Sequence, residues 1–417
     1  MTELSIQIFD DASDIAEGWS NRIQLALENT TIDASIQVGD LVAVLDTVRQ
    51  RREEWRSGNW TRSQQPIDQL DVAIVDYDLL DNPSTSDTTG SRLAYLLRCF
   101  TQCGFIVVLN EYGSNVFDLR LGSPTAGFAD SHIGDRQISN PGLWHTPFGG
   151  YRPWYWPVIP RAAKNFEKCV EDVIGNLDLP ILETLGLESV IEWLPRRAIE
   201  FLSGRESPRR TTFRHLIRST EARVDRRDRL PDWQLARVAA SRLGALLNSI
   251  ILPEQSVLVD APHLVSRLPS VIRHDSDGTD VWSRICDPLE QGIDELLVDD
   301  LKQYRFQTKS HWFWRPVWLW PKVSGDSAIV EVDDPWSYPA PTNVFCEDVS
   351  RFIPKEFARN VNALVSPPFL KRFICNLKWE GDKSRATRIE SHLTPVAEDV
   401  SQEFADIEYV PQSALSF

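Results

Sequence analysis

The 417-residue chain has no Cys-X-X-Cys pair: its six cysteines (Cys99, Cys103, Cys169, Cys286, Cys346 and Cys375) are scattered, with no histidine at metal-ligand spacing. That excludes the common structural zinc patterns and leaves buried free thiols as the expectation. Walker, HExxH, GxSxG and GxGxxG motifs are also missing, and the glycines Gly149 and Gly150 lead into a Pro-Trp string and not into a helix, so no phosphate cradle is read there. No uncharged apolar run approaches the roughly 20 residues of a membrane helix. The opening MTELSIQIFDD is acidic and enters a strand at once, unlike a signal or transit peptide. A cytoplasmic protein with no membrane partner is therefore expected. Positive charge is in short supply, with 44 Lys and Arg against 60 Asp and Glu, a net charge of −16 and a pI near 5.0. Such a surface repels nucleic acid except through a local patch. What the chain does have is 42% hydrophobic residues, enough for the cores of two or three domains.

The organising stretch is Asp71–Leu80, DVAIVDYDLL. Val72, Ala73, Ile74 and Val75 are apolar without alternation and stop at Asp76, the pattern of a strand buried on both faces of a parallel sheet. A second such strand, Leu4–Asp11 (LSIQIFDD), ends in Asp10 and Asp11. In open α/β sheets ligands bind outside the carboxyl ends of the strands, so acids placed there are positioned for chemistry. Three carboxylates on neighbouring strand tips need a cation to remain ionised together, and hard oxygen ligands suit Mg²⁺. The plainer reading, acids that merely end strands in solvent, serves for one such residue better than for three. Helices over Asp14–Leu27, Leu41–Trp55 and Ser91–Cys103, the last ended by Gly104, alternate with these strands and with Gly104–Asn110. That order gives a doubly wound parallel sheet.

Phe9-Asp10-Asp11, followed some sixty-five residues later by Val75-Asp76-Tyr77-Asp78-Leu79, resembles the receiver domain of bacterial two-component response regulators. The resemblance covers about the first third of the chain. It implies that Asp10 and Asp11 hold Mg²⁺ with Asp76, that Asp76 accepts a phosphoryl group, and that the partner is a sensor kinase or another signalling protein. Asn110 stands at the switch position where the family has Ser or Thr, and FADSHIG near the expected fifth strand, Phe128–Ile133, carries no Lys-Pro. The polar loop Asp81–Thr89 is an insertion that reads either as a lid over Asp76 or as a tolerated surface loop. With the middle segment NPGLWHTPFGGYRPWYWP, the whole chain also resembles an atypical response-receiver family of prokaryotic conflict genes, which implies anti-phage signalling.

Beyond the first third, the expected fold class is a helical segment followed by a mixed α/β domain. The boundaries read as 1–135 for the receiver-like domain, 136–160 for a Trp/Pro-rich ordered crossing, 161–251 for the helices and 252–417 for the remainder. Leu235–Ile251 carries the clearest helical period, opened by Pro231 and Asp232. Two Trp-Pro strings, Arg152–Pro157 and Arg315–Pro321, read as packed aromatic belts, with an exposed stacking platform as the alternative. Arg196–Arg229 holds eleven arginines against five acids. It is a solvated face bridged by its own acids or, alternatively, a dock for phosphate, carboxylate or nucleic acid. Ser256–Asp260, Ile329–Val332, Asn343–Cys346 and Phe373–Trp379 read as strands and Asp294–Tyr304 as an acidic helix. Asp260, His263, Glu347 and Asp348 form a second candidate site, that of a metal-dependent hydrolase or nuclease with the receiver as its regulator. A non-phosphorylated interaction scaffold is the third reading.

Overall fold

The computed structural model describes residues 3–375 apart from 29, 62–63, 80–87, 111–126, 147, 149–151, 153, 204–206, 221–229, 274–278, 288–291, 307–308, 331–342, 348, 356–357 and 361–371. Asp348 and most of the Asp81–Thr89 insertion therefore lie outside the described residues, as does the reading of 376–379 as strand. The chain forms two compact units: residues 1–145, 157–250 and 311–314 make unit 1, and 146–156, 251–310 and 315–417 make unit 2.

Unit 1 is built on a five-stranded, all-parallel sheet of β1 (Leu4–Phe9), β2 (Ala34–Val38), β3 (Val72–Asp76), β4 (Phe105–Asn110) and β5 (Ser131–Gly134), in the order β2-β1-β3-β4-β5. Val72 through Val75 are fully buried, as an apolar run without alternation requires of a central parallel strand. Crossovers are α1 (Ser13–Leu27), α2 (Leu41–Arg56) and α3 (Gly90–Phe100). Leu41, Val44, Leu45 and Val48 line the buried stripe of α2, and Asp40 caps its start by accepting from Ala43 N at 3.0 Å. The helix α3 ends at Phe100, ahead of Gly104, because Thr101 turns extended and folds its hydroxyl back onto the Leu97 carbonyl at 2.7 Å. Gly104 is required by a close approach: a Cβ there would lie 2.3 Å from the Asp71 carbonyl oxygen.

The remainder of unit 1 is helical, with α4 (Ile159–Ile174), α5 (Arg196–Leu202), α6 (Phe213–Thr220) and α7 (Asp232–Leu246), the last running on through a π-helical segment, Leu247–Ile251. The continuous stretch Asp232–Glu254 is the one described helix long and apolar enough to cross a membrane, but 83% of its apolar window is buried within the fold. Arg237 on α7 donates to Glu167 of α4 at 2.7 and 2.9 Å and to the Cys103 carbonyl at 2.7 Å, which places the helix inside a protein core and not among lipids. The short return His311–Trp314 is tied in by His311 Nε2 to Asp172 Oδ2 at 2.7 Å.

Unit 2 pairs β6 (Leu258–Asp260) antiparallel with β7 (Val317–Leu319). A second sheet takes the order β10-β11-β8-β9 from β8 (Asn343–Cys346), β9 (Arg351–Pro354), β10 (Ala358–Asn360) and β11 (Phe373–Cys375). Val259, Leu264, Val265, Trp318, Val323 and Ile329 meet in its core. Two expectations are corrected. Ile329–Val332 begins not as a strand but as the end of a helical turn, Ser327–Val330, opened by Asp326, which accepts from Ala328 N at 2.9 Å. The acidic helix over Asp294–Tyr304 is two pieces, Ile293–Leu296 and Asp299–Tyr304, because Leu297 turns extended and bridges Ile272. Trp154, Trp156 and Trp318 are buried and Trp320 is partly so, which sets aside the exposed stacking platform.

Candidate metal centre

The parallel order delivers three carboxylates to one end of the sheet. Phe9 pairs with Val75 and Asp76 with Leu109, so Asp10 and Asp11, just past β1, and Asp76, the last residue of β3, share the carboxyl edge at the point where the strand order reverses. One ligand oxygen from each acid lies within 4.8 Å of the others. Asp10 Oδ1 accepts from Ala12 N at 2.8 Å, whereas its Oδ2 is buried without a hydrogen-bond donor among the described residues. An orphaned carboxylate oxygen at 8% exposure is a group awaiting a cation or a proton. Burial first, and the Asp10 charge second, push the Asp76 carboxyl up to about 8; burial, partly offset by the Ala12 hydrogen bond, pushes Asp10 up to about 6. Hard carboxylate oxygens gathered this closely are the donor type Mg²⁺ takes, one or two binding it directly while it keeps several waters. Asn110 ends β4 opposite Gly134, on the same edge of the sheet.

Relieving the crowding has a measurable effect. Asp10→Asn keeps the Oδ1 acceptor and removes one buried charge, so the metal-free variant is expected to melt above the wild type, by on the order of 2–4 °C for each kcal/mol gained. In the same melting assay, Mg²⁺ is expected to stabilise the wild type and not the variant. A variant that melts lower without metal, or gains as much from Mg²⁺, would contradict the crowding.

Unit 2 gathers three of the four residues of the second candidate site. Asp260 caps the helix α8 (Ala261–Arg267), accepting from His263 N at 3.3 Å, and its Oδ1 lies 2.5 Å from His263 Nδ1. His263 Nε2 faces Glu347 Oε1 at 3.2 Å, and the ring stands edge-on to Trp154 and Phe345, with centroids 4.8 and 4.9 Å away. The other oxygens are taken by arginines: Arg315 donates to Asp260 Oδ2, and Arg372 grips Glu347 at 2.5 and 2.6 Å. Burial alone would raise Glu347, but the Arg372 charge and the His263 hydrogen bond hold it down at about 2. Burial likewise opposes ionisation of Asp260, and the His263 and Arg315 charges overcome it. Both carboxylates are thus neutralised by guanidinium groups, and both ring nitrogens of the histidine face carboxylates. Buried ion pairs of this type hold segments together and leave little for a metal to coordinate.

The described arginines of Arg196–Arg229 are bridged in part by acids. Arg196 meets Glu200 at 2.8 Å, Arg209 meets Glu188 at 4.0 Å, and Arg214 forks between Asp178 and Asp232. Arg205, Arg223, Arg226, Arg227 and Arg229 lie outside the described residues, as does the Arg218 side chain. Sequence reasoning missed Arg315, Arg372 and Trp154 as members of the unit 2 cluster. The repeated Arg-Pro at Arg152 and Arg315 was the nearest signal, and Arg372 had none.

No family model matches the chain, and no curated protein matches it. Among solved structures it is similar to the signal receiver domain of the response regulator NarL from Mycobacterium tuberculosis, at 12% identity and a TM-score of 0.20, over 32% of this chain and 86% of that one. With strand order and register as the basis, the N-terminal layer of this protein has a receiver-like α/β fold, joined to helices and followed by a mixed α/β region.

Proposed function

We propose that the protein is a response-regulator-like signalling protein in which Asp76 accepts a phosphoryl group while Asp10, Asp11 and Asp76 hold Mg²⁺. The observation that carries this reading is the meeting of the three acids within 4.8 Å at the carboxyl edge of the sheet. Bound Mg²⁺ supplies positive charge to the pocket, keeping its carboxylates ionised near neutral pH. An Asp76 oxygen attacks the phosphorus of an acyl or histidyl phosphate, the bond from phosphorus to the donor breaks, and the donor leaves with that electron pair. The product carries extra negative charge and strong acceptor oxygens beside the strand tips, enough to alter local packing. Asn110 offers an amide in place of a hydroxyl at the end of β4, so a readout through a hydroxyl at that position is not expected.

The partner under this reading is a sensor kinase or another phosphodonor, and anti-phage signalling is its setting. Incubation with a small acyl phosphate and Mg²⁺, followed by intact mass, is expected to add one phosphoryl group to the wild type and none to Asp76→Asn or to the wild type with chelator. No adduct under any condition would make the protein a non-phosphorylated interaction scaffold. In a phage challenge of cells carrying the gene, Asp76→Asn is expected to abolish protection.

A further inference from the structure

We infer that α3 is the mechanical link between the acid pocket and helix α7, so that what the pocket holds biases how α7 is seated. The inference builds on the reading of Asp10, Asp11 and Asp76 as a cation and phosphoryl site, and adds where its signal goes.

At its first residue α3 rests on the peptide that carries Asp76. Gly90 N donates to the Tyr77 carbonyl at 2.8 Å, and a Cβ on Gly90 would lie 2.1 Å from the Asp76 carbonyl oxygen and 2.7 Å from Tyr77 Cα. Contact there is backbone against backbone, so no side chain can rotate to absorb a shift of β3. Thr89 closes this end by accepting from Arg92 N at 3.3 Å. Eleven residues later, about 16 Å along the axis, the other end of α3 is held by α7. The fully buried Gln234 donates from Nε2 to the Arg98 carbonyl at 2.6 Å and to the Thr101 carbonyl at 3.0 Å.

Two further residues of α7, on the same face of the helix as Gln234, complete the grip. Arg237 donates to the Cys103 carbonyl at 2.7 Å, and Ser241 donates to Asp130 Oδ1 at 2.6 Å. Asp130 in turn pairs with Arg98, which belongs to α3 and is fully buried. The polar face of α7 therefore reads the last turn of α3 and the approach to β4 and β5. Close-packed interiors have low compressibility and transmit strain. A shift of the Asp76–Tyr77 peptide is passed to the start of α3, and the groups that meet it at the far end include the two Gln234 bonds.

The test uses the full chain and amide hydrogen exchange, with α2, which carries none of the pocket acids, as internal reference. Gly90→Ala drives a methyl group into the Asp76 backbone, and Asp76→Asn, compared with wild type in the presence of Mg²⁺, removes a carboxylate that the ion would keep ionised, without touching α7. Each is expected to change exchange over Gln234–Ser241 by at least about fivefold while α2 is unchanged, the lower end of usual coupling between sites. Reciprocally, Gln234→Ala is expected to shift Mg²⁺ affinity, measured by calorimetry with the metal alone, by a similar factor. Unchanged α7 exchange in both pocket variants, equal loosening of α2 and α7, or unaltered Mg²⁺ affinity in Gln234→Ala would each overturn the link. Failure of the wild type to bind Mg²⁺ would instead remove the site reading, and the exchange comparison then decides the link by itself. Should Gly90→Ala not fold, Asp76→Asn carries the same comparison.

Discussion

Arg98→Ala is expected to destabilise unit 1 by about 3–5 kcal/mol, the usual penalty for stripping one partner from a buried ion pair. Arg98 is fully buried, pairs with Asp130, donates to the Cys103 and Gly104 carbonyls at 3.2 and 2.8 Å, and lies over the Phe166 ring at 4.3 Å. Truncation leaves two carbonyls without that donor and the Asp130 carboxylate, among the described residues, with Ile106 N and Ser241 as its hydrogen-bond partners. Thermal melting should fall by on the order of 10 °C. Arg98→Met combined with Asp130→Ala removes both charges and keeps most of the apolar bulk, so it should recover much of that loss. A single variant within about 1 kcal/mol of the wild type would show that this pair is solvated and not structural.

The second large effect is acid lability of unit 2. Glu347 is held near 2 in the folded state, against 4.5 for an ordinary glutamate, and Asp260 is also depressed. A carboxyl depressed by folding binds fewer protons in the native state than in the unfolded chain. Its stabilisation is therefore complete above the ordinary value and is lost as pH falls from about 4.5 toward 2. For Glu347, buried at 4% exposure, the loss is about 3 kcal/mol. Trp154, edge-on to His263 at 4.8 Å, is the natural optical probe. Its signal should unfold within that window, and Glu347→Gln should flatten the pH slope while lowering stability at neutral pH. A slope unchanged in Glu347→Gln would assign the acid transition to other carboxylates.

Much of the sheet was legible because a central parallel strand needs a continuous apolar run, and Val72–Val75 and Phe105–Leu109 are such runs. The acid trio was legible for a related reason: strands that stop at acids put those acids on one edge once the order is parallel. The edge strand Ala34–Val38 was not singled out, since it is half exposed and its alternation is weak. The strand Val317–Leu319 was hidden between the prolines of a Trp-rich string, and its pairing with Leu258–Asp260 is a tertiary fact with no local trace. Ile329–Val332 misled because a β-branched run is a β signal only where a neighbouring strand exists. In unit 2 the Asp260–His263 spacing is that of a helix cap and its first turn, readable from local rules. The arginines that neutralise the cluster come from 55 residues after Asp260 and 25 after Glu347, separations no periodicity reports.

The return of His311–Trp314 to unit 1 has a consequence for how the protein is made. His311 Nε2 meets Asp172 Oδ2, the His311 carbonyl accepts from Cys169 Sγ at 3.5 Å, and the Trp312 carbonyl accepts from Asn248 at 3.0 Å. A ribosome adding about 5–20 residues per second must still make the stretch from Ile250 to His311 before the first unit owns its last clasp, so the nascent helices wait several seconds with that seat unfilled. Chaperone dependence during translation should therefore track the interval between Ile250 and His311, and lengthening that interval should lower the yield of folded protein without altering the finished molecule's melting.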